Sequence, residues 1–122
     1  MATIAVIMAM RAEAGPLIDE IAAARYELNP SLPTQVFVAE RSGDTTVIGV
    51  NGIDPDHQVD LVGTEPAVLT TMQVIEHWQP DVVISAGTAG GWSRSAAQIG
   101  DVFVAWPHVV RHDRRIGIEG FR

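Results

Sequence analysis

At 122 residues and a net charge of -7, the chain has the size of one domain, long enough to bury a core. Its acidity excludes the basic stripe that nucleic-acid or anionic-membrane partners require. Cysteine is absent, which removes disulfide frameworks, thiolate metal sites and thiol nucleophiles together and fits a reducing, cytoplasmic compartment.

Residues 3–10 are apolar but lack a basic leader region, are too short to span a bilayer and run directly into Arg11 and Glu13. Within them TIAVIM (Thr3–Met8) reads as a buried first strand. Leu17, Ile18, Ile21 and Ala22 then fall on one helical face, with Asp19, Glu20 and Arg25 on another, so the strand feeds a helix. Proline is tolerated only near a helix start. Pro16 therefore assigns residues 9–15 to the connecting turn and first helical turn, which places Glu13 at the carboxyl end of the strand. Residues 29–33 break regular structure. Two β-rich runs, 35–41 and 45–50, flank Ser42-Gly43-Asp44 and predict a hairpin. A loop over 51–60 holds Gly52, Pro55 and three aspartates. Thr64 is the expected N-cap of the next helix, with Glu65 and Pro66 in its first turn. Val68, Leu69, Met72 and Ile75 give that helix an apolar face, and it closes near Trp78 before Pro80.

The stretch 81–91, DVVISAGTAGG, organises the rest. Val82, Val83 and Ile84 form a continuous apolar run that predicts a central strand buried on both faces. Gly87, Gly90 and Gly91 then let the backbone turn and approach a ligand, while Thr88 supplies a hydroxyl. Ligands in open α/β sheets bind at the carboxyl ends of strands, although glycines serve equally well where a strand simply has to turn. Further on, Gly100-Asp101 precedes a predicted strand over 102–105 that Val109-Val110 extends beyond Pro107. No repeat, low-complexity tract or linker interrupts the chain, so one domain is expected. HDRRIGIEGFR (112–122) offers neither a closing helix nor a polar tail, and parallel sheets need further crossover helices. A continuation is expected.

Several groupings bear on chemistry. His108 and His112 would share a helical face, but Pro107 and Val109-Val110 favour a strand, where that spacing does not converge, and a zinc site needs a third ligand. Asp54, Asp56 and Asp60 lack the spacing and terminal glutamate of a calcium loop and read as a solvated acidic loop. No metal site is expected. The GTAGG loop has neither the Gly-Lys-Ser/Thr of a triphosphate loop nor the dinucleotide fingerprint. Glu13 is the carboxylate best placed for acid-base work, although by spacing alone it reads first as an exposed first-turn glutamate favoured by the helix dipole.

AMRAE (9–13) after an apolar strand, Val62-Gly63-Thr64 opening a helix, and PDVVI (80–84) leading into AGTAGG (86–91) are followed by IGDV (99–102) and HDRRI (112–116). In this order the motifs resemble those of 5′-methylthioadenosine/S-adenosylhomocysteine nucleosidases, most closely the plant-type branch, within the purine and uridine phosphorylase superfamily. The resemblance covers nearly the whole chain and is weakest between Tyr26 and Asp60. It implies a nucleoside phosphorylase-like α/β fold, a twisted mixed sheet flanked by helices. It also implies a homodimer without cofactor that takes a small purine nucleoside and hydrolyses the N-glycosidic bond of 5′-thio-substituted adenosines.

Residue by residue, the resemblance matches Glu13 to the glutamate that activates the attacking water and Thr88 to the hydroxyl residue near the ribose. Ala89 and Gly90 match backbone lining the purine, and Ile116 an apolar contact to the base. Met10 and Val62 match apolar positions around the ribose and 5′-alkylthio group, with Ile53 in place of Val62 under another alignment of the loop. An oxocarbenium-like transition state needs a carboxylate-bound water, an apolar slot for the thioether and a proton donor to the leaving adenine. The first two have candidates here. In the family the proton donor is an aspartate and the ribose-holding carboxylate a glutamate, both in a C-terminal half that follows. The chain thus reads as the first half of a single domain: a fragment, a truncated product, or one piece completed by another. Three functions follow from that reading: hydrolysis by the completed protein, phosphorolysis as in related phosphorylases, or a non-catalytic remnant that associates through uncovered apolar surface.

Overall fold

The computed structural model describes residues 1–109. By their internal contacts residues fall into two compact units, Met1–Ala89 and a second beginning at Gly90. The first contains β1 (Thr3–Met8), α1 (Arg11–Glu20), β2 (Ala24–Tyr26), β3 (Gln35–Arg41), β4 (Asp44–Val50), α2 (Thr64–Trp78) and β5 (Val82–Ser85). The strands form one mixed sheet in the order β2-β3-β4-β1-β5. β1 runs parallel to both β4 and β5, and β2, β3 and β4 pair antiparallel.

From Ile4 to Met8, β1 is apolar because it is covered on both sides. Its side chains alternate between faces: Val6 and Met8 pack with Ala14, Ile18, Phe37, Ile48 and Val50, and Ala5 and Ile7 with Val36, Val47 and Val74. The first cluster takes Ala14 and Ile18 from α1 and the second takes Val74 from α2, so one helix covers each face. This is the mixed α/β sheet that the sequence predicts. The hairpin is also as expected. Ser42 and Gly43 both have positive φ, 54° and 90°, the type I′ turn whose twist suits two-residue hairpins.

Three expectations need correction. First, α1 begins at Arg11, so residues 9–15 hold the turn and first helical turn as expected, but Pro16 lies past that turn, inside the helix. The ring is exposed, and its missing N–H removes one helical hydrogen bond. The helix stops at Glu20 with the Ala22 N–H bonding to the Asp19 carbonyl and the Ala23 N–H to Ile18, at 3.2 and 2.9 Å. Ala22 is left-handed there (φ 50°) and exposed. This is a Schellman ending, and it frees Arg25 to join edge strand β2, which sequence periodicity did not reveal. Second, the N-cap of α2 is Gly63, and Thr64 is its first helical residue, its hydroxyl donating to Glu65 Oε2 at 3.1 Å. Third, β5 is an edge strand and not a central one. Val82, Val83 and Ile84 are 50, 43 and 44% exposed, because among the described residues only β1 pairs with β5.

In the second unit, residues 102–105 are exposed and form no strand, because no ladder partner exists for them among the described residues. The predicted extension to Val110, and His112, lie outside the described residues. A 3₁₀ turn, Ser93–Ser95, folds back on the Trp92 carbonyl, which accepts from the Ser95 N–H at 2.9 Å.

One glycine fixes the loop that follows β4. Gly52 has φ 94°, and a Cβ there would lie 1.9 Å from the Pro33 carbonyl oxygen. Both the left-handed backbone and the contact exclude any side chain. Gly52→Ala is expected to lower unfolding free energy by more than about 2 kcal/mol, measured by denaturant unfolding.

Candidate active site

Parallel β1 and β5 end side by side, and the ladder runs one residue further where the Ala86 N–H donates to the Ile7 carbonyl at 3.0 Å. Both chains then turn over the carboxyl edge of the sheet. After β1 the backbone enters α1, which makes Glu13 the third helical residue. After β5 it enters the glycine loop and presents Thr88. The two meet: Glu13 Oε1 accepts the Thr88 N–H at 2.9 Å and the Thr88 hydroxyl at 2.6 Å, across 75 residues of sequence. Glu13 Oε2 accepts the Met10 N–H at 3.3 Å.

These bonds favour the charged carboxylate. The Thr88 hydroxyl, then the Thr88 amide, hold the Glu13 pKa below the ordinary glutamate value; slight burial opposes them and the Met10 amide adds to them. Glu13 is therefore an anion at neutral pH. Gly87 lies beside it: a Cβ there would sit in ordinary contact, 3.5 and 3.6 Å from the two carboxylate oxygens. An ionised carboxylate with only slight burial can accept a proton from a bound water, and Thr88 retains hydroxyl lone pairs for a further donor.

The structure thus brings Met10, Glu13 and Thr88 together. Ala89 follows Thr88 and is exposed, and Val62 is 62% exposed at the end of the 51–62 loop. Ile53, its alternative, forms an antiparallel bridge with Asp60. Gly90 opens the second unit, and a Cβ there would meet nothing within 4 Å. Ile116 lies outside the described residues.

The acidic loop is only partly solvated. Asp54 Oδ1 accepts the Asp56 and His57 amides at 2.8 and 3.1 Å, and its pKa is lowered by the His57 amide first and the Asp56 amide next. Asp60 has a different role: its Oδ1 accepts the Arg11 N–H at 3.1 Å. Sequence reading missed this contact because its partners are 49 residues apart and belong to no local pattern. Among the described residues no three His, Asp or Glu side chains are grouped to hold a metal ion. The Arg11 guanidinium lies 4.9 Å from the centre of the Phe37 ring, a cation–π contact that Arg25 also makes at 5.5 Å.

The model of the Phosphorylase superfamily matches residues 3–122. The 5′-methylthioadenosine nucleosidase of Arabidopsis thaliana is 37% identical over 118 residues, covering 94% of this chain and 44% of that protein. The 5′-methylthioadenosine/S-adenosylhomocysteine nucleosidase of the same plant is 40% identical over 120 residues, covering 95% of this chain and 46% of that protein. The apo structure of the Arabidopsis thaliana 5′-methylthioadenosine nucleosidase superposes with a TM-score of 0.77 at 32% identity, covering 83% of this chain and 43% of that one. The chain therefore spans less than half the length of these relatives. The resemblance read from five short motifs holds, and so does the mixed sheet it implied. With all but the first two residues matched by the family model, the chain belongs to the Phosphorylase superfamily.

Proposed function

We propose that residues 1–122 are the first half of a single nucleoside phosphorylase-like domain. The completed protein hydrolyses the N-glycosidic bond of 5′-methylthioadenosine or a related adenine nucleoside and releases adenine. The observation that carries this reading is the ionised Glu13 carboxylate, held by Thr88 at the carboxyl edge of β1 and β5. In this reading Glu13 takes a proton from the attacking water and Thr88 faces the ribose. Met10 and Val62 line the ribose and 5′-alkylthio group, Ala89 and Gly90 the purine, and Ile116 the base. The completed protein is a cytoplasmic homodimer that needs no cofactor and serves methionine salvage.

Phosphorolysis is the competing reaction, and the superfamily includes it. It needs cationic groups aimed at an anion, and related phosphorylases place an arginine where Ser85 stands. Arg11, the substitute considered for that charge, lies on Phe37 instead. Water is thus the favoured nucleophile. The test is adenine release by the chain extended through its remaining half, with and without phosphate. The expected result is equal rates and free 5-methylthioribose; strict phosphate dependence with a ribose 1-phosphate product would sink the hydrolytic reading.

A further inference from the structure

We propose that Asp60 is a positioning residue for Glu13: by accepting the Arg11 amide it locks the 51–62 loop to the first turn of α1, and so fixes where the Glu13 carboxylate meets Thr88. The inference rests on Glu13 being the working carboxylate of the site. A helix start has four backbone N–H groups without helical partners. Two of those at α1 are satisfied by carboxylates, Met10 by Glu13 at 3.3 Å and Arg11 by Asp60 at 3.1 Å. The first bond is local, and Glu13 moves with its own helix. The second comes from outside and is the one that sets where the helix start lies.

Asp60 can act as a fixed anchor because its loop is closed on itself. The Asn51 amide, in a residue only 2% exposed, donates to the Leu61 carbonyl at 2.9 Å. The Leu61 N–H donates to the Gly52 carbonyl at 2.9 Å, and Asp60 itself bridges to Ile53. Gly52 in turn sits against the Pro33 carbonyl. The position of Asp60 is therefore dictated by the end of β4, and the Arg11 amide passes that position to α1. Val62, two residues on, leaves the same anchor, so one bond relates the two sides of the proposed pocket. Displacement of a catalytic group by about 1 Å can cost on the order of 10²-fold in rate, which gives such an anchor a function beyond stability.

The titration of Glu13, followed by NMR in the 122-residue chain, tests this without relying on turnover, so a failed nucleosidase assay and a failed anchor are separate outcomes. Asp60→Ala is expected to raise the Glu13 pKa toward the ordinary carboxylate range as the Thr88 bonds loosen. Asp60→Asn, which keeps an acceptor, is expected to leave it low. Loss of a neighbouring negative charge alone would lower it in both variants, and that result would overturn the proposal. Should Asp60→Ala not fold, Arg11→Pro removes the donor instead. Proline is favoured at the first helical position, and Met10 already has the extended backbone that precedes proline (φ -112°, ψ 143°). Arg11→Ala, which loses the same charge but keeps the N–H, is its reference. Glu13 titrating higher in Arg11→Pro than in Arg11→Ala supports the anchor, and equal values overturn it.

Discussion

On the proposed function, the 122-residue polypeptide alone is expected to release no measurable adenine from 5′-methylthioadenosine, and a chain extended to its relatives' length is expected to release it readily. On the proposed reading, the described residues supply a carboxylate to activate water, Glu13, and a hydroxyl bonded to it, Thr88. The departing adenine also needs a proton, and the ribose hydroxyls need a carboxylate, which the family resemblance assigns to the following half. Leaving-group protonation alone contributes about 10²- to 10⁴-fold, and a substrate bound without its ribose contacts loses orientation as well. Groups that act as a unit do not retain half their effect when half are removed. The measurement is adenine release by the purified polypeptide of verified mass, beside the extended chain. Comparable rates would show that the proton donor lies within residues 1–122.

In the extended chain, Glu13→Gln is expected to reduce turnover by about 10²- to 10⁴-fold while changing substrate affinity far less. Glutamine keeps the shape and can still accept the Thr88 bonds through its amide oxygen, but it cannot take the proton from water. Steady-state kinetics at saturating substrate decide this, and near-normal turnover would return Glu13 to the role of a helix-start glutamate. The pH dependence has a defined sign. The folded-state pKa of Glu13 lies below its unfolded value, through Thr88 first. Its bonds therefore add stability above the unfolded value, and that stability is lost as pH falls through the folded one. Acid unfolding of Glu13→Gln should lack this contribution.

The features legible in the sequence were those written in local patterns. The alternation that buries both faces of β1, the Ser42-Gly43 turn and the end of α2 before Pro80 each follow from a few adjacent residues. Glu13 and Thr88 were also singled out, each from its own motif, but their meeting depends on β1 and β5 being parallel neighbours. What escaped was non-local. The start of α1 was legible, since residues 9–15 do hold the turn and first helical turn, but the bonds of Glu13 and Asp60 at Met10 and Arg11 that fix it were not, and neither was the end of the helix at Glu20. β2 is three exposed residues that acquire a strand's geometry only by pairing with β3. β5 carries the composition of a central strand and lies at an edge among the described residues.

That last mismatch bears on how such a protein is made. A strand rich in valine and isoleucine with one edge unpaired is a template for any other extended chain. A ribosome adds roughly 5–20 residues per second, so if residues 1–122 are the first half proposed above, the open side of β5 leaves the exit tunnel many seconds before the second half is made. During that interval neighbouring nascent chains on one message compete for the same hydrogen bonds. Slow translation beyond codon 122 should therefore lower the soluble yield of the whole protein, and a holdase chaperone that binds extended apolar segments should restore it.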